Sequence, residues 1–140
     1  MVMITWNFSF LGVLIAAIAS MILGMLWYHP AIFGNLWMKL SGKTIKDREA
    51  QKKKGMTAQM IAAFLGNIIT AFALSMIFQI AGVSSIGGAW ALGVVIWVGF
   101  LLTTTMNPVL WEGQKLGLYM LNNFYNLINI LLMSAIVTYW

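Results

Sequence analysis

The chain has 140 residues, of which 61% are hydrophobic and 8% are charged, and it carries a formal net charge of +5. About 25% of the residues of an ordinary soluble domain are charged, and a soluble domain of this size could not bury so much apolar surface. The composition therefore predicts an integral membrane protein. The absence of cysteine excludes disulfides, thiolate metal sites and cysteine nucleophiles.

Four apolar stretches are each long enough to cross a bilayer as a helix, which takes about 20 residues. The predicted spans lie at about 8–28, 57–80, 89–110 and 118–139. Trp6 and Trp27 bracket the first span, and Trp90 and Trp111 bracket the third, at the headgroup level that indole rings prefer. We therefore predict an all-α fold, in which residues 1–140 form a single bundle of four transmembrane helices.

The long connection 30–55 carries most of the positive charge. It contains seven of the eight basic residues, and the eighth, Lys115, lies between spans three and four. Because basic loops stay on the cytoplasmic side, both loops are predicted to be cytoplasmic and both termini to lie outside. The connection is expected to be an interfacial, partly helical element in which Lys52, Lys53 and Lys54 touch anionic lipid, and not a nucleic-acid patch.

Small residues spaced by four mark candidate packing faces, because helices in lipid associate through small side chains and polar contacts. Span one carries Ala16, Ser20 and Gly24, and span two carries Ala62 and Gly66. We expect spans one and two to pack along these stripes. The same stripes could instead form the contact between two copies, and the sequence leaves both interpretations open.

Polar side chains inside the spans predict a polar zone in the half of the bilayer next to the basic connection. The candidate cavity residues are Asn67, Thr103, Thr104, Asn107, Asn122, Asn126 and Asn129. Asn122, Asn126 and Asn129 share one face of the fourth helix. Since such groups must face protein or water, they either bond the helices to one another or line a cavity for a solute or ion.

His29 and Glu112 lie at the same predicted membrane face and are candidates for the mouth of that cavity. They are also the only plausible acid–base pair for an enzyme that acts on a lipid. The sequence contains no nucleophile–base set, phosphate-binding loop or metal-ligand spacing. We therefore predict no metal, no cofactor and no enzymatic activity.

Several short motifs resemble the small bacterial membrane proteins of domain-of-unknown-function family seventeen-sixty-one, over nearly the whole chain. The residues that carry the resemblance are Asn7, Gly24 to Tyr28 (GMLWY), Phe33 to Trp37 (FGNLW), Gly99-Phe100, Glu112-Gly113, Asn122 with Tyr125, and Trp140. The family often follows its Glu-Gly pair with a basic residue and proline, where this chain has Gln114 and Lys115. The resemblance implies a four-helix protein of the bacterial inner membrane, without an assigned activity.

Two functions follow as hypotheses. The first is a homo-oligomeric membrane protein that binds or passes a small solute or ion through the asparagine-lined zone. The second is a non-transporting membrane module that binds lipid or a partner protein through the basic connection. They differ in which residues matter, the asparagines of span four or the lysines of the connection.

Overall fold

The computed structural model describes residues 8–140, so the predictions that concern Trp6 and Asn7 lie outside the described residues. The α-helices are α1 (Phe10–Trp27), α2 (Asn35–Ser41), α3 (Ile45–Lys54), α4 (Thr57–Ala81), α5 (Ile86–Ile96), α6 (Asn107–Trp111) and α7 (Leu116–Tyr139). A π-helical turn, Pro30–Gly34, joins α1 to α2. A π-helix, Trp97–Leu102, and a short 3-10 turn, Thr104–Met106, carry α5 on into α6.

Four helical stretches are long and apolar enough to cross a membrane, and they coincide closely with the predicted spans. They are Phe10–Trp27, Thr57–Ala81, Ile86–Trp111 and Leu116–Tyr139. Large apolar side chains are exposed on all four, including Phe10 (79%), Ile69 (68%) and Phe100 (67%). Contiguous apolar surface of this extent is unusual on soluble proteins, whereas hydrocarbon solvates it without cost.

The helix α7 is the centre of the bundle. It packs against α1, α4 and α5, and α1 also packs against α4. The buried core lies where these helices meet and consists of Val13, Ala16, Ala71, Leu74, Phe78, Ala89 and Met133. The connection 30–55 and the loop after α6 lie at one end of the bundle, hereafter the basic end. The α4–α5 turn and the last residues of α7 lie at the opposite end.

Local polar contacts set where several helices begin. The Ser9 hydroxyl accepts a hydrogen bond from the Gly12 N–H at the start of α1, and the Ser85 hydroxyl accepts one from the Gly88 N–H at the start of α5. Each bond satisfies one of the amides that a helix leaves unpaired in its first turn. The helix α4 ends at Gly82, whose φ of 72° is a left-handed conformation that glycine adopts without strain.

The two small-residue stripes have different surroundings. Ala16 and Ser20 are fully buried, and Gly24 faces α7, where an added Cβ would lie 3.1 Å from the Tyr125 hydroxyl. Ala62 and Gly66 are exposed, and nothing lies within 4 Å of a Cβ added at Gly66. The expected packing of α1 on α4 along both stripes is therefore absent within the protomer. The physical reason is that α4 fully buries only residues from Ala71 onward, so the stripe in its first half has no partner helix over it.

Candidate functional site

The chain reverses sharply after α1, and Gly34 makes the reversal feasible. The Gly34 N–H donates to the His29 carbonyl at 2.9 Å, which closes the π-helical turn. A Cβ on Gly34 would lie 2.4 Å from the Tyr28 carbonyl oxygen. Only glycine fits this close approach of two backbone segments, and the reversal directs α2 back beside the end of α1.

Five aromatic rings collect at this reversal and form the aromatic cluster: Trp27, Tyr28, Phe33, Trp37 and Tyr125. The ring centroids of Trp27 and Phe33 are 4.6 Å apart, and those of Tyr28 and Tyr125 are 5.4 Å apart. Trp37 of α2 meets the Tyr28 ring edge-on at 6.1 Å. Such pairs stabilise beyond their area burial, so the cluster fastens α2 to the ends of α1 and α7.

A cavity of about 430 Å³, hereafter the basic pocket, lies between this cluster and α3. Its charged lining consists of Lys43, Arg48 and Lys52, and none of the described residues that line it is acidic. Its remaining walls are largely apolar and aromatic, from Tyr28, Trp37, Met38 and Met56. The Lys43 ammonium lies 5.1 Å from the centroid of the Trp37 ring, within the range of a cation–π contact.

The capping box at the start of α3 positions two of the three cations. The Asp47 N–H donates to the Thr44 hydroxyl at 3.2 Å, and the Thr44 N–H donates to the Asp47 carboxylate at 2.9 Å. The bond from the Thr44 backbone, with a smaller contribution from its side chain, holds the pKa of Asp47 below its usual value. Arg48 and Lys52 follow one helical turn apart, so they project from the same face of α3.

Of the predicted lysine contacts, Lys52 lines the basic pocket, whereas Lys53 and Lys54 are exposed outside its lining. His29 is exposed, and its Nδ1 accepts a hydrogen bond from the Ala31 N–H at 3.1 Å. Glu112 is exposed as well. No hydrogen bond or ion pair joins His29 to Glu112 in the part of the chain that the structure describes.

Two of the predicted asparagines bond α7 to α1. The Tyr28 hydroxyl donates to the Asn122 side-chain oxygen at 2.7 Å, and the Ser20 hydroxyl donates to that of Asn129 at 2.6 Å. Because Tyr28 lines the basic pocket, Asn122 supports a wall of that pocket from the neighbouring helix. Both asparagines thus make the interhelical bonds that were the structural alternative to a cavity.

The other predicted liners are not brought together. Asn67 and Asn126 are half-buried, and no hydrogen bond joins either side chain to another described residue. Thr103 and Thr104 are exposed and donate to the Gly99 carbonyl at 2.7 Å and to the Phe100 carbonyl, and Asn107 is exposed. No hydrogen bond joins any of these side chains to another of them in the described part of the chain.

Sequence reasoning missed Asn123, which is only 2% exposed. The side-chain nitrogen of Asn123 donates to the Tyr119 carbonyl at 2.9 Å and to the Thr105 hydroxyl at 3.1 Å. The backbone carbonyl of Asn123 accepts a hydrogen bond from the Trp97 indole. The residue was omitted because it lies off the face that Asn122, Asn126 and Asn129 share. Asn123 lies on a second polar face of α7, which is directed at the threonines of span three, and a search for such a face in the sequence would have identified it.

The basic pocket and the aromatic cluster contain residues from two segments on which the family resemblance rests, 24–28 and 33–37, together with Tyr125, and Asn122 bonds to Tyr28 in the pocket wall. A family model described as "Protein of unknown function (DUF1761)" matches residues 11–138. No curated protein and no solved structure matches the chain. Because the match spans nearly all of the described residues, the chain belongs to the DUF1761 family of proteins of unknown function.

Proposed function

We propose that this chain is a multi-pass protein of the bacterial cytoplasmic membrane that binds the phosphate headgroup of an anionic lipid in its basic pocket. The observation that carries the proposal is the pocket lining, with Lys43, Arg48 and Lys52 on one side and aromatic and thioether side chains on the other. Under the positive-inside rule the basic end faces the cytoplasm and both termini lie outside. The pocket then opens to the inner leaflet.

The depth of the pocket favours a lipid over a nucleic acid or a soluble anion. The aromatic cluster begins where α1 ends, at Trp27, and a spanning helix ends at the headgroup level. A ligand at that depth meets the cations of α3 and the apolar walls at once. A phospholipid offers a charged group and a carbon chain in that arrangement, and each nearby basic residue contributes about 1 kcal/mol to binding an anionic surface.

The observed contacts give less support to a solute path through the asparagines. Asn122 and Asn129 each bond α7 to α1 through a single hydroxyl, which is the common role of polar groups between membrane helices. The side chains of Asn67 and Asn126 keep all of their bonding capacity for a solute, since no hydrogen bond joins either to another described residue. A path along them needs a second copy to cover the exposed first half of α4.

The test compares two triple variants of equal net charge, in liposomes that contain phosphatidylglycerol and phosphatidylcholine. Lys43→Gln, Arg48→Gln and Lys52→Gln together remove the cations of the pocket, and Lys46→Gln, Lys53→Gln and Lys54→Gln together remove three cations outside its lining. We expect the pocket triple to weaken retention of phosphatidylglycerol on the order of 100-fold. The control triple should weaken it far less.

Native mass spectrometry after gentle release from the membrane measures the retained lipid. Equal loss of phosphatidylglycerol from both triples would show that net charge attracts the lipid and that the pocket does not bind it. Equal retention of phosphatidylcholine and phosphatidylglycerol by the unaltered protein would also contradict the proposal, since three cations favour a lipid of net negative charge over one whose choline group cancels the charge of the phosphate.

A further inference from the structure

A second cavity, of about 200 Å³, lies at the opposite end of the bundle and is hereafter the hydroxyl cavity. The start of α1, the end of α4, the α4–α5 turn and the end of α7 meet there. Its polar lining comprises Ser9, Ser75, Gln79, Ser84 and Thr138. None of the side chains of the described residues that line it is charged. It is therefore separate from the basic pocket in position and in chemistry.

The hydroxyl of Thr138 differs in its hydrogen bonding from those of three other threonines in the spanning helices. Thr70, Thr103 and Thr105 each donate to the carbonyl oxygen four residues earlier, at 3.0, 2.7 and 2.6 Å. This bond is the usual way for a helical threonine to satisfy its hydroxyl. The Thr138 Oγ1 is buried and has no hydrogen-bond partner in the described part of the chain. A buried hydroxyl without a partner is costly, and this one lines a cavity.

We propose that the hydroxyl cavity binds a small neutral polyol, either free or as the glycerol headgroup of a lipid. At about 200 Å³ the cavity has room for several water-sized groups, and therefore for a ligand as small as glycerol. Serine and threonine hydroxyls both donate and accept hydrogen bonds, so they match a ligand that does the same. The rings of Phe78 and Trp140 form part of the wall and cover the carbon atoms of such a ligand.

The neutral side chains of the described lining favour an uncharged ligand over an ion. A charge taken from water into a site without a counter-charge is strongly destabilised, and these side chains supply none. Ser75, which is 8% exposed, accepts a hydrogen bond from the Gln79 amide at 3.5 Å. Its hydroxyl hydrogen is free to point toward an acceptor in the cavity. Ser75 and Thr138 thus bring two hydroxyl-bearing side chains from two different helices to the lining of one cavity.

Glycerol is the probe. The protein is labelled with 5-fluorotryptophan and held in nanodiscs of phosphatidylcholine, because the headgroup of this lipid carries no hydroxyl. The ¹⁹F signal of Trp140, assigned with the Trp140→Phe variant, reports on the wall of the cavity. We expect a saturable shift of this signal with glycerol. Thr138→Val, which removes the hydroxyl at nearly constant volume, should weaken glycerol binding at least tenfold. Thr70→Val is the matched control and should leave binding unchanged.

Ser84→Ala provides a second test at an exposed turn residue, where misfolding is not a concern, and should weaken glycerol binding severalfold. In phosphatidylglycerol nanodiscs, a Trp140 signal that is already shifted and no longer responds to added glycerol identifies the lipid headgroup as the source of the polyol. A non-saturating shift, or one of equal size in the unaltered protein and in Thr138→Val, would overturn the proposal, because water alone would then fill the cavity. None of these outcomes depends on the basic pocket.

Discussion

At the scale of single residues, Gly34 controls the geometry of the basic pocket. Its backbone lies in an ordinary helical conformation, so the constraint is space and not a special dihedral angle. Within 3 Å of its missing Cβ lie the Tyr28 carbonyl oxygen and the His29 carbonyl carbon and oxygen. Backbone atoms cannot yield as a flexible side chain can, so a methyl group must push α2 away from the end of α1.

We predict that Gly34→Ala destabilises the protein by about 1–3 kcal/mol, the usual cost of forcing a group into a filled space. Thermal unfolding in detergent measures the change in stability. The tryptophan fluorescence of the aromatic cluster should also change, because Trp37 shifts away from Tyr28. Gly66→Ala is the control, since nothing lies near the added methyl and alanine favours the helix. Equal stability of the two variants would show that the turn can open without cost.

At the scale of elements, α3 depends on its own capping box, because its residues are almost all exposed. Little packing stabilises it, and a ten-residue helix is marginal alone in water. The reciprocal bonds between Thr44 and Asp47 therefore decide how firmly Arg48 and Lys52 are held over the pocket. Lys52, Lys53 and Lys54 in its last turn also suit the negative end of the helix dipole.

We predict that α3 loses order in acid. Because hydrogen bonds from Thr44 lower the pKa of Asp47 in the folded state, the stabilisation is present above the unfolded-state pKa of 3.8 and is lost as the pH falls through the lower, folded-state value. The ¹³Cα chemical shifts of residues 45–54 should move toward coil values over that range. In Asp47→Asn the shifts should lie nearer coil values already at neutral pH and should lack this acid transition. An identical titration in both proteins would contradict the role of the carboxylate.

The sequence was sufficient to predict the four long helices, since helices are among the few structures that satisfy every backbone group in lipid and hydropathy reports their lengths. It was not sufficient to predict the π-helix Trp97–Leu102, because no proline or glycine pair marks it. There the hydroxyls of Thr103 and Thr105 donate to backbone carbonyls, and Tyr119 donates to the Leu102 carbonyl at 2.6 Å. Thr103, which was predicted to line a cavity, thus acts as a partner of an irregular backbone.

The basic pocket could be predicted only in part for a similar reason. The charges of the connection 30–55 can be read directly from the sequence, and they predicted contact with anionic lipid. Whether these charged side chains lie flat on a surface or enclose a cavity depends on two changes of chain direction, one at Gly34 and one at Gly42. The φ angle of Gly42 is 74°. Those reversals place α3 opposite Trp37. Nothing in a run of lysines specifies that geometry.

At the scale of the whole molecule, the proposed lipid site requires one orientation. A basic pocket on the cytoplasmic side meets the anionic inner leaflet, whereas the reverse orientation would expose it to the opposite face of the membrane. The charge difference between the two ends is large, because the connection 30–55 and Lys115 lie at the basic end and no charged residue lies in the α4–α5 turn. Such a difference sets the orientation of a multi-pass protein during insertion.

We predict that a cysteine at the basic end is shielded in intact cells and that one in the α4–α5 turn is accessible. The chain contains no cysteine, so Lys53→Cys and Ser84→Cys each introduce a single reactive thiol at an exposed position. A membrane-impermeant maleimide should label Ser84→Cys in intact cells, and Lys53→Cys only after permeabilisation of the inner membrane. The reverse pattern would place the basic pocket outside the cell. The pocket would then face away from the anionic inner leaflet, so this result would contradict the proposed orientation and the proposed lipid source together.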